Sequence, residues 1–303
     1  MAQKLYEESN IQAIANAIRS KNGLTTTYKT SEMAAAITAI EGGGSTPIEP
    51  PVGDGKTRIY IHLEDGRLSP VLGICPNGTV TVDWGDDTET DTLTGTSVTT
   101  LQYTPAHNYA AAGDYVISLT VNGSAAIQGR DTNSASCLLG FTTNNDNRNQ
   151  LYQNSIYKIE FGERIADIKK RAFSFYSGLY SVILPKGMTK INSYTFSSAI
   201  CLRKCVMPDT ITQIGSQAFD SCPSLSSIII PKRVNRIDNY AFYQCRGMKY
   251  YDFTTLTAIP TLTGTDAFSG IPADCEIRVP AALANEWKAA TNWATYANKI
   301  VGV

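Results

Sequence analysis

Apolar residues recur through the second half of the chain at one fixed spacing. Phe173, Phe196, Phe219 and Phe242 lie 23 residues apart. So do Ile168, Ile191, Ile214 and Ile237, then Leu179, Leu202, Leu225 and Met248, then Pro185, Pro208 and Pro231. Several positions sharing one period exclude coincidence. A period in the twenties indicates a solenoid, in which each unit buries its apolar face only against its neighbours. One unit reads Leu225-x-x-Ile228-x-Ile230-Pro231-x-x-Val234-x-x-Ile237-x-x-x-Ala241-Phe242-x-x-Cys245. The alternation predicts a short strand with Ile228 and Ile230 inward and Ser227 and Ile229 outward. Pro231 stops the strand, and the Ala-Phe pair falls on a helical or turn segment that closes the coil. Cys222 and Cys245 stand where Ala199 stands one unit earlier. A position that accepts Cys or Ala needs a small apolar side chain rather than reactivity.

The pattern frays at both ends. Ile156 and Ile159 open a degenerate first unit. Ala267-Phe268 comes 26 residues after Ala241-Phe242, so residues are inserted near Thr261–Asp266. A last strand is followed by a helix carrying Leu283, Trp287 and Trp293, which would cap the open end.

Upstream the period changes to two. Arg58–Leu63, Thr79–Trp84 and Tyr115–Val121 read as short strands, the last closed by the turn pair Asn122-Gly123. This suggests a β-sandwich over 57–125, with a polar connector over 126–150 holding one apolar island, Cys137–Phe141. Before it, Glu41–Lys56 is a Gly- and Pro-rich linker. The first 41 residues carry the 3.6-residue period instead. Ser9 and Gln12 fit a capping box, and Ile11, Ile14 and Ile18 share one helical face. A second helix from about Ser31 carries Met33, Ile37 and Ile40. Each helix is short, so these stripes call for a partner, and they are the candidate attachment and oligomerisation residues.

Three segments also resemble known families. The 155–280 region is similar to BspA-type leucine-rich repeats, typified by bacterial surface adhesins. The stretch from Val80 to Gly123 resembles the PKD module, an immunoglobulin-like sandwich, through Asp83-Trp84-Gly85-Asp86, His107-Asn108-Tyr109 and Gly113-x-Tyr115. Asp87 replaces the Gly usual in that turn. The N-terminal YEESNIQAIANAIRSKNG and YKTSEMAAAITAI resemble segments of tail-associated proteins from phages and prophages of Gram-positive gut bacteria. The fold class expected is therefore multidomain and mainly β. A helical N-terminus (1–41) and a linker (42–56) lead to a PKD-like sandwich (57–125). A connector (126–150) then joins it to a leucine-rich-repeat solenoid with a capping helix (151–303).

Composition narrows the chemistry. The chain has 303 residues, 26 basic and 27 acidic, for a net charge of −1. That balance argues against nucleic acid as main partner. Seven cysteines without any CxxC argue against a zinc site or a disulfide scaffold. No segment has the ~18 apolar residues that cross a bilayer, so no membrane insertion is expected. The first residues show no secretory h-region, which reads as synthesis in a host cytoplasm without a signal peptide. No nucleophile motif, metal motif or phosphate loop appears, so neither enzyme activity nor a cofactor is expected. Asp83, Asp86 and Asp87 cluster oxygen ligands of the kind calcium takes. Asp is also a turn residue whose carboxylate holds backbone N–H groups, and that reading is preferred, with no metal expected. His107 is read as a structural hydrogen-bonding residue.

Binding remains. Outward strand positions of a solenoid vary without harm to its core. They read Ser181, Lys204, Ser227, Tyr250 in one column and Ile183, Val206, Ile229, Asp252 in the next. Tyr176, Tyr180 and Tyr243 add amphipathic rings suited to sugar or protein contacts, although such rings also pack between coils. Tyr251 aligns with inward Ile228 and is read as core. With the resemblances, these features imply a phage tail fibre or receptor-binding protein located on the virion. Its N-terminus would meet other tail or baseplate proteins, as a homo-oligomer with a trimer expected, and its repeats would bind a host cell-surface glycan or protein. The alternative is a bacterial surface or secreted adhesin whose export signal is missing from this chain. A carbohydrate-active enzyme is the third reading.

Overall fold

A computed structural model describes residues 54–128, 138–140 and 154–303. The helices read at 1–41, with Ile11, Ile14, Ile18, Met33, Ile37 and Ile40, lie outside the described residues. So do most of the linker and of the connector, Cys137 included.

The first strands are antiparallel. β1 (Thr57–Leu63), β2 (Val71–Asp83), β3 (Asp91–Thr96) and β5 (Gly113–Ile127) form a sheet in the order β1-β5-β2-β3. The first residues of β2 leave it to pair with two short strands, β4 (Gln102–Tyr103) and β6 (Leu139–Gly140). The alternation seen in the sequence becomes burial: Ile59, Ile61 and Leu63 of β1 and Val80 and Val82 of β2 are fully buried. Where β2 meets β5, Gly78 faces Gly123. Both have positive φ, and a Cβ on either would sit within about 2.3 Å of the facing strand's carbonyl oxygen. No residue with a side chain fits that crossing.

The repeats coil next. Each turn contributes one strand to a front face and one to a back face. The front strands are β7 (Ile156–Glu160), β9 (Ser181–Ile183), β11 (Lys204–Val206), β13 (Ser227–Ile229), β15 (Tyr250–Asp252) and β17 (Glu276–Val279). The back strands are β8 (Ile165–Ile168), β10 (Lys190–Ile191), β12 (Gln213–Ile214), β14 (Arg236–Ile237) and β16 (Thr261–Leu262). All ladders between successive coils are parallel. The back sheet β10-β12-β14-β16 is continuous, whereas β11 and β13 lie side by side without a hydrogen-bonded ladder. The inserted residues fall in two places. Ile237 pairs with Leu262, 25 residues on, and Tyr250 pairs with Glu276, 26 on. Two of the three extra residues therefore precede β16, upstream of the stretch the sequence suggested.

The Ala-Phe pairs lie in turns, not helices. Phe173, Phe196, Phe219, Phe242 and Phe268 form one stack, with successive ring centroids 5.7, 5.3, 5.2 and 5.4 Å apart. After β17 come a 3-10 turn (Ala281–Leu283), a six-residue helix α1 (Ala284–Ala289), a second 3-10 turn (Trp293–Tyr296) and β18 (Ile300–Gly302), which pairs with β17, so that of Leu283, Trp287 and Trp293 only Trp287 lies on the helix. Trp287 and Trp293 close on Phe253, each at 5.5 Å.

The antiparallel strands and the coils share one body. β5 runs two residues into the stretch read as connector. There Ala125, Ala126 and Ile127 pair with Ile165, Asp167 and Ile168 of β8. β1 pairs antiparallel with β7, Ile59 opposite Ile159. Gly162 N–H donates to Thr57 Oγ1 (2.9 Å), and a single apolar cluster runs from Ile59 to Ile300. Gly53–Val303 is accordingly one compact unit.

Candidate functional site

The front face carries the candidate site. Its inward row, Ile228, Tyr251, Ile277 and Ile300, is buried at every position, Tyr251 included. The flanking residues point outward in two registered rows. One joins Ser227, Tyr250 and Glu276; the other joins Ile229, Asp252, Arg278 and Val301. Ile229 is 64% exposed, a large apolar side chain with no core role. The Arg278 guanidinium lies 4.0 Å from the Tyr250 ring centre, and its Nε donates to Glu276 Oε2 at 2.8 Å. Two contacts thus hold one rotamer, which lowers the entropy lost when a ligand docks on it. Asp252 accepts from the Thr254 N–H and hydroxyl, which orients its carboxylate at the strand end.

The structure therefore brings Ser227, Tyr250, Asp252 and Ile229 onto one face and adds Glu276, Arg278 and Val301, which sequence reasoning missed. A signal existed: the alternation Glu276-Ile277-Arg278-Val279 continues the repeat once the inserted residues are allowed for. Lys204 lies on the other side of the break between β11 and β13. Tyr180, 43% exposed, stands near the first coils, its ring parallel to that of Tyr157 at 6.0 Å. Tyr243 packs edge-on against Tyr240 at the turn edge.

Two expected site residues are corrected. Ser181 is buried, because its short side chain stands in register between Lys158 and Lys204 and does not rise above them. Tyr176 is fully buried, its ring edge-on to Phe173 at 5.2 Å inside the coil. Neither can meet a partner. Ile183 of the second column is buried as well.

The acidic turn is structural. Asp83 Oδ1 accepts from the Gly85 N–H at 3.0 Å. Asp86 accepts from the Thr88 hydroxyl at 2.7 Å and lies 2.8 Å from His107 Nε2. His107 stacks on Trp84 at 4.5 Å, and the Tyr109 hydroxyl donates to the Trp84 carbonyl. Burial works against the Asp86 charge, yet the Thr88 and His107 hydrogen bonds outweigh it and hold this carboxyl below its usual value. Asp87 takes a left-handed φ of 61° at the position where the PKD pattern has Gly. Among the described residues no group of three or more His, Cys, Asp or Glu is placed to hold a metal ion.

The repeat cysteines occupy the core. Cys222 and Cys245 are buried, and each thiol lies 3.1 Å from the carbonyl oxygen of the preceding coil's Phe, as hydrogen-bond donor. Burial pushes the Cys245 thiol up to about 12, far from the thiolate form a nucleophile needs. Cys201, by contrast, is exposed.

Residues 147–272 match the family described as "BspA type Leucine rich repeat region", in six copies. The coils are a BspA-type leucine-rich repeat region. No curated protein matches the chain. Solved structures do. A T. pallidum leucine-rich repeat protein is 21% identical over 41% of this chain, at a TM-score of 0.37. A Bacteroides ovatus leucine-rich repeat protein is 26% identical over 42%, at 0.35. A leucine-rich cell surface protein of Faecalibacterium prausnitzii is 24% identical over 40%, at 0.36. The chain spans 59%, 34% and 31% of those three chains.

Proposed function

We propose that this protein is a non-catalytic recognition module whose BspA-type repeats bind a cell-surface glycan or protein. The observation that carries this reading is the contrast between the two kinds of row. The inward row Ile228-Tyr251-Ile277-Ile300 is uniformly buried, while the outward rows change chemistry at every coil and are bridged by a fixed Tyr250–Arg278 pair. Aromatic and Arg residues held in one rotamer beside an exposed apolar residue are the usual anchors of an interface.

The finer reading is a phage tail fibre or receptor-binding protein. It is supported by the likeness of residues 1–41 to tail-associated proteins, and those residues would attach it to the particle as a homo-oligomer. The antiparallel strands are read as PKD-like, on the Asp83–Asp86 turn and the His107–Tyr109 triplet. A bacterial surface adhesin is the second reading, favoured by the repeat type. A genomic neighbourhood of tail and lysis genes would support the first, and neighbours unrelated to phage would refute it. Binding itself is tested by incubating the full chain with cell-wall polysaccharide and surface-protein fractions of Gram-positive gut bacteria. Retention on one fraction, lost in a Tyr250→Ala/Arg278→Ala variant, is expected. Deleting residues 151–303 is a poor test, because it removes half of a shared core.

A further inference from the structure

Several cations in the repeats are matched by an acid. Lys169 pairs with Asp167 (2.7 Å), Lys186 with Glu163 (2.9 Å), Lys232 with Asp209 (2.9 Å) and Arg236 with Asp238 (2.7 Å). Lys170 and Arg171 have no acid partner among the described residues, and they are neighbours in the chain. They follow Lys169 directly, and its charge is already answered by Asp167. Asn192 Nδ2 donates to the other Asp167 oxygen at 3.0 Å, so that carboxylate is committed. Lys170 and Arg171 converge instead on one ring. The Arg171 guanidinium carbon is 4.4 Å and Lys170 Nζ 5.4 Å from the centre of Tyr194 in the next coil. Among the described residues neither side chain makes a hydrogen bond or an ion pair.

The placement follows from the coil. Arg171, Tyr194, Gln217 and Tyr240 occupy one column, and all have φ between 54° and 62°. The left-handed backbone therefore belongs to the repeat, and only the identity of the side chains is particular to this corner. Two like charges gathered at one aromatic ring repel each other, and the ring's quadrupole offsets this only in part. A guanidinium beside a ring keeps in-plane N–H donors free for an oxyanion, with an ammonium beside it.

We propose that Lys170, Arg171 and Tyr194 form an oxyanion subsite for the charged groups (phosphate, sulfate or carboxylate) of an anionic surface polysaccharide. The proposal rests on the repeats being a recognition surface, and it adds a second contact at the back corner, apart from the front-face rows. The test uses the full chain with three probes: sulfated dextran, neutral dextran of equal length and inorganic phosphate. Sulfated dextran is expected to bind at low salt and weaken as salt rises. Neutral dextran is expected not to bind, and inorganic phosphate to compete only at high concentration. Lys170→Ala/Arg171→Ala should weaken the sulfated probe at least tenfold. Lys186→Ala/Lys232→Ala removes the same charge from paired sites and should leave binding within twofold. Equal losses in the two double variants would reduce the effect to net charge and overturn the proposal. So would undiminished binding without Lys170 and Arg171, or no binding by the native chain.

Discussion

Phe219 shows what a repeated residue does here. It is fully buried, and its ring is stacked between those of Phe196 and Phe242 at 5.3 and 5.2 Å. Truncating it leaves a void bounded by rings on both sides that cannot close together. Phe219→Ala is expected to cost about 3–5 kcal/mol in chemical denaturation, whereas Ile229→Ser on the exposed row should stay within about 0.5 kcal/mol. Asp86 supplies a pH dependence at the same scale. Its folded carboxyl is held below the unfolded value, so its contribution to stability is present above about pH 4 and is lost as pH falls through the folded pKa. Native protein should therefore lose more stability than Asp86→Asn between pH 6 and pH 3. Parallel acid-unfolding curves for the two proteins would contradict this role.

Each coil also carries features that composition hides. A second left-handed column, Phe175, Ser198, Ser221 and Gln244, runs beside the one at Arg171. A β-branched residue tolerates that backbone poorly. Ser198→Val is expected to be about 1–2 kcal/mol less stable than Ser198→Gly, measured as the difference between two denaturation midpoints. A column of alternating charge, Glu163, Lys186, Asp209 and Lys232, also runs between coils, with ion pairs between the first two and the last two. The strands, the inward row and the buried cysteines were legible, because burial writes the same letters at the same spacing in every coil. The left-handed columns were not, since Arg, Tyr, Gln, Phe and Ser share no chemistry that would mark a backbone angle. Ser181 and Tyr176 were misplaced for a related reason. Exposure depends on the neighbours in the next coil, and period alone says only which way a strand residue points.

At the scale of the molecule, the antiparallel strands act as the solenoid's first cap. β1 and β5 pair with β7 and β8, and so cover strand edges that an isolated coil stack would leave open. No sequence pattern announced this, because strand pairing across about a hundred residues leaves no local periodicity. Gly162 is its tightest point: a Cβ there would stand 2.1 Å from the Gly55 carbonyl oxygen. Gly162→Ala is expected to destabilise the whole Gly53–Val303 unit by about 1–3 kcal/mol, in one cooperative transition. Separate transitions for strands and coils would contradict the shared core. The central claim is that the outward rows, held on this single body, recognise a cell surface. It is tested most directly by measuring the binding of labelled full chain to a panel of Gram-positive gut bacteria, native against Tyr250→Ala/Arg278→Ala. At least a tenfold loss of binding with an unchanged unfolding midpoint is predicted. Equal binding by the two proteins, or no binding by the native chain to any surface, would contradict it.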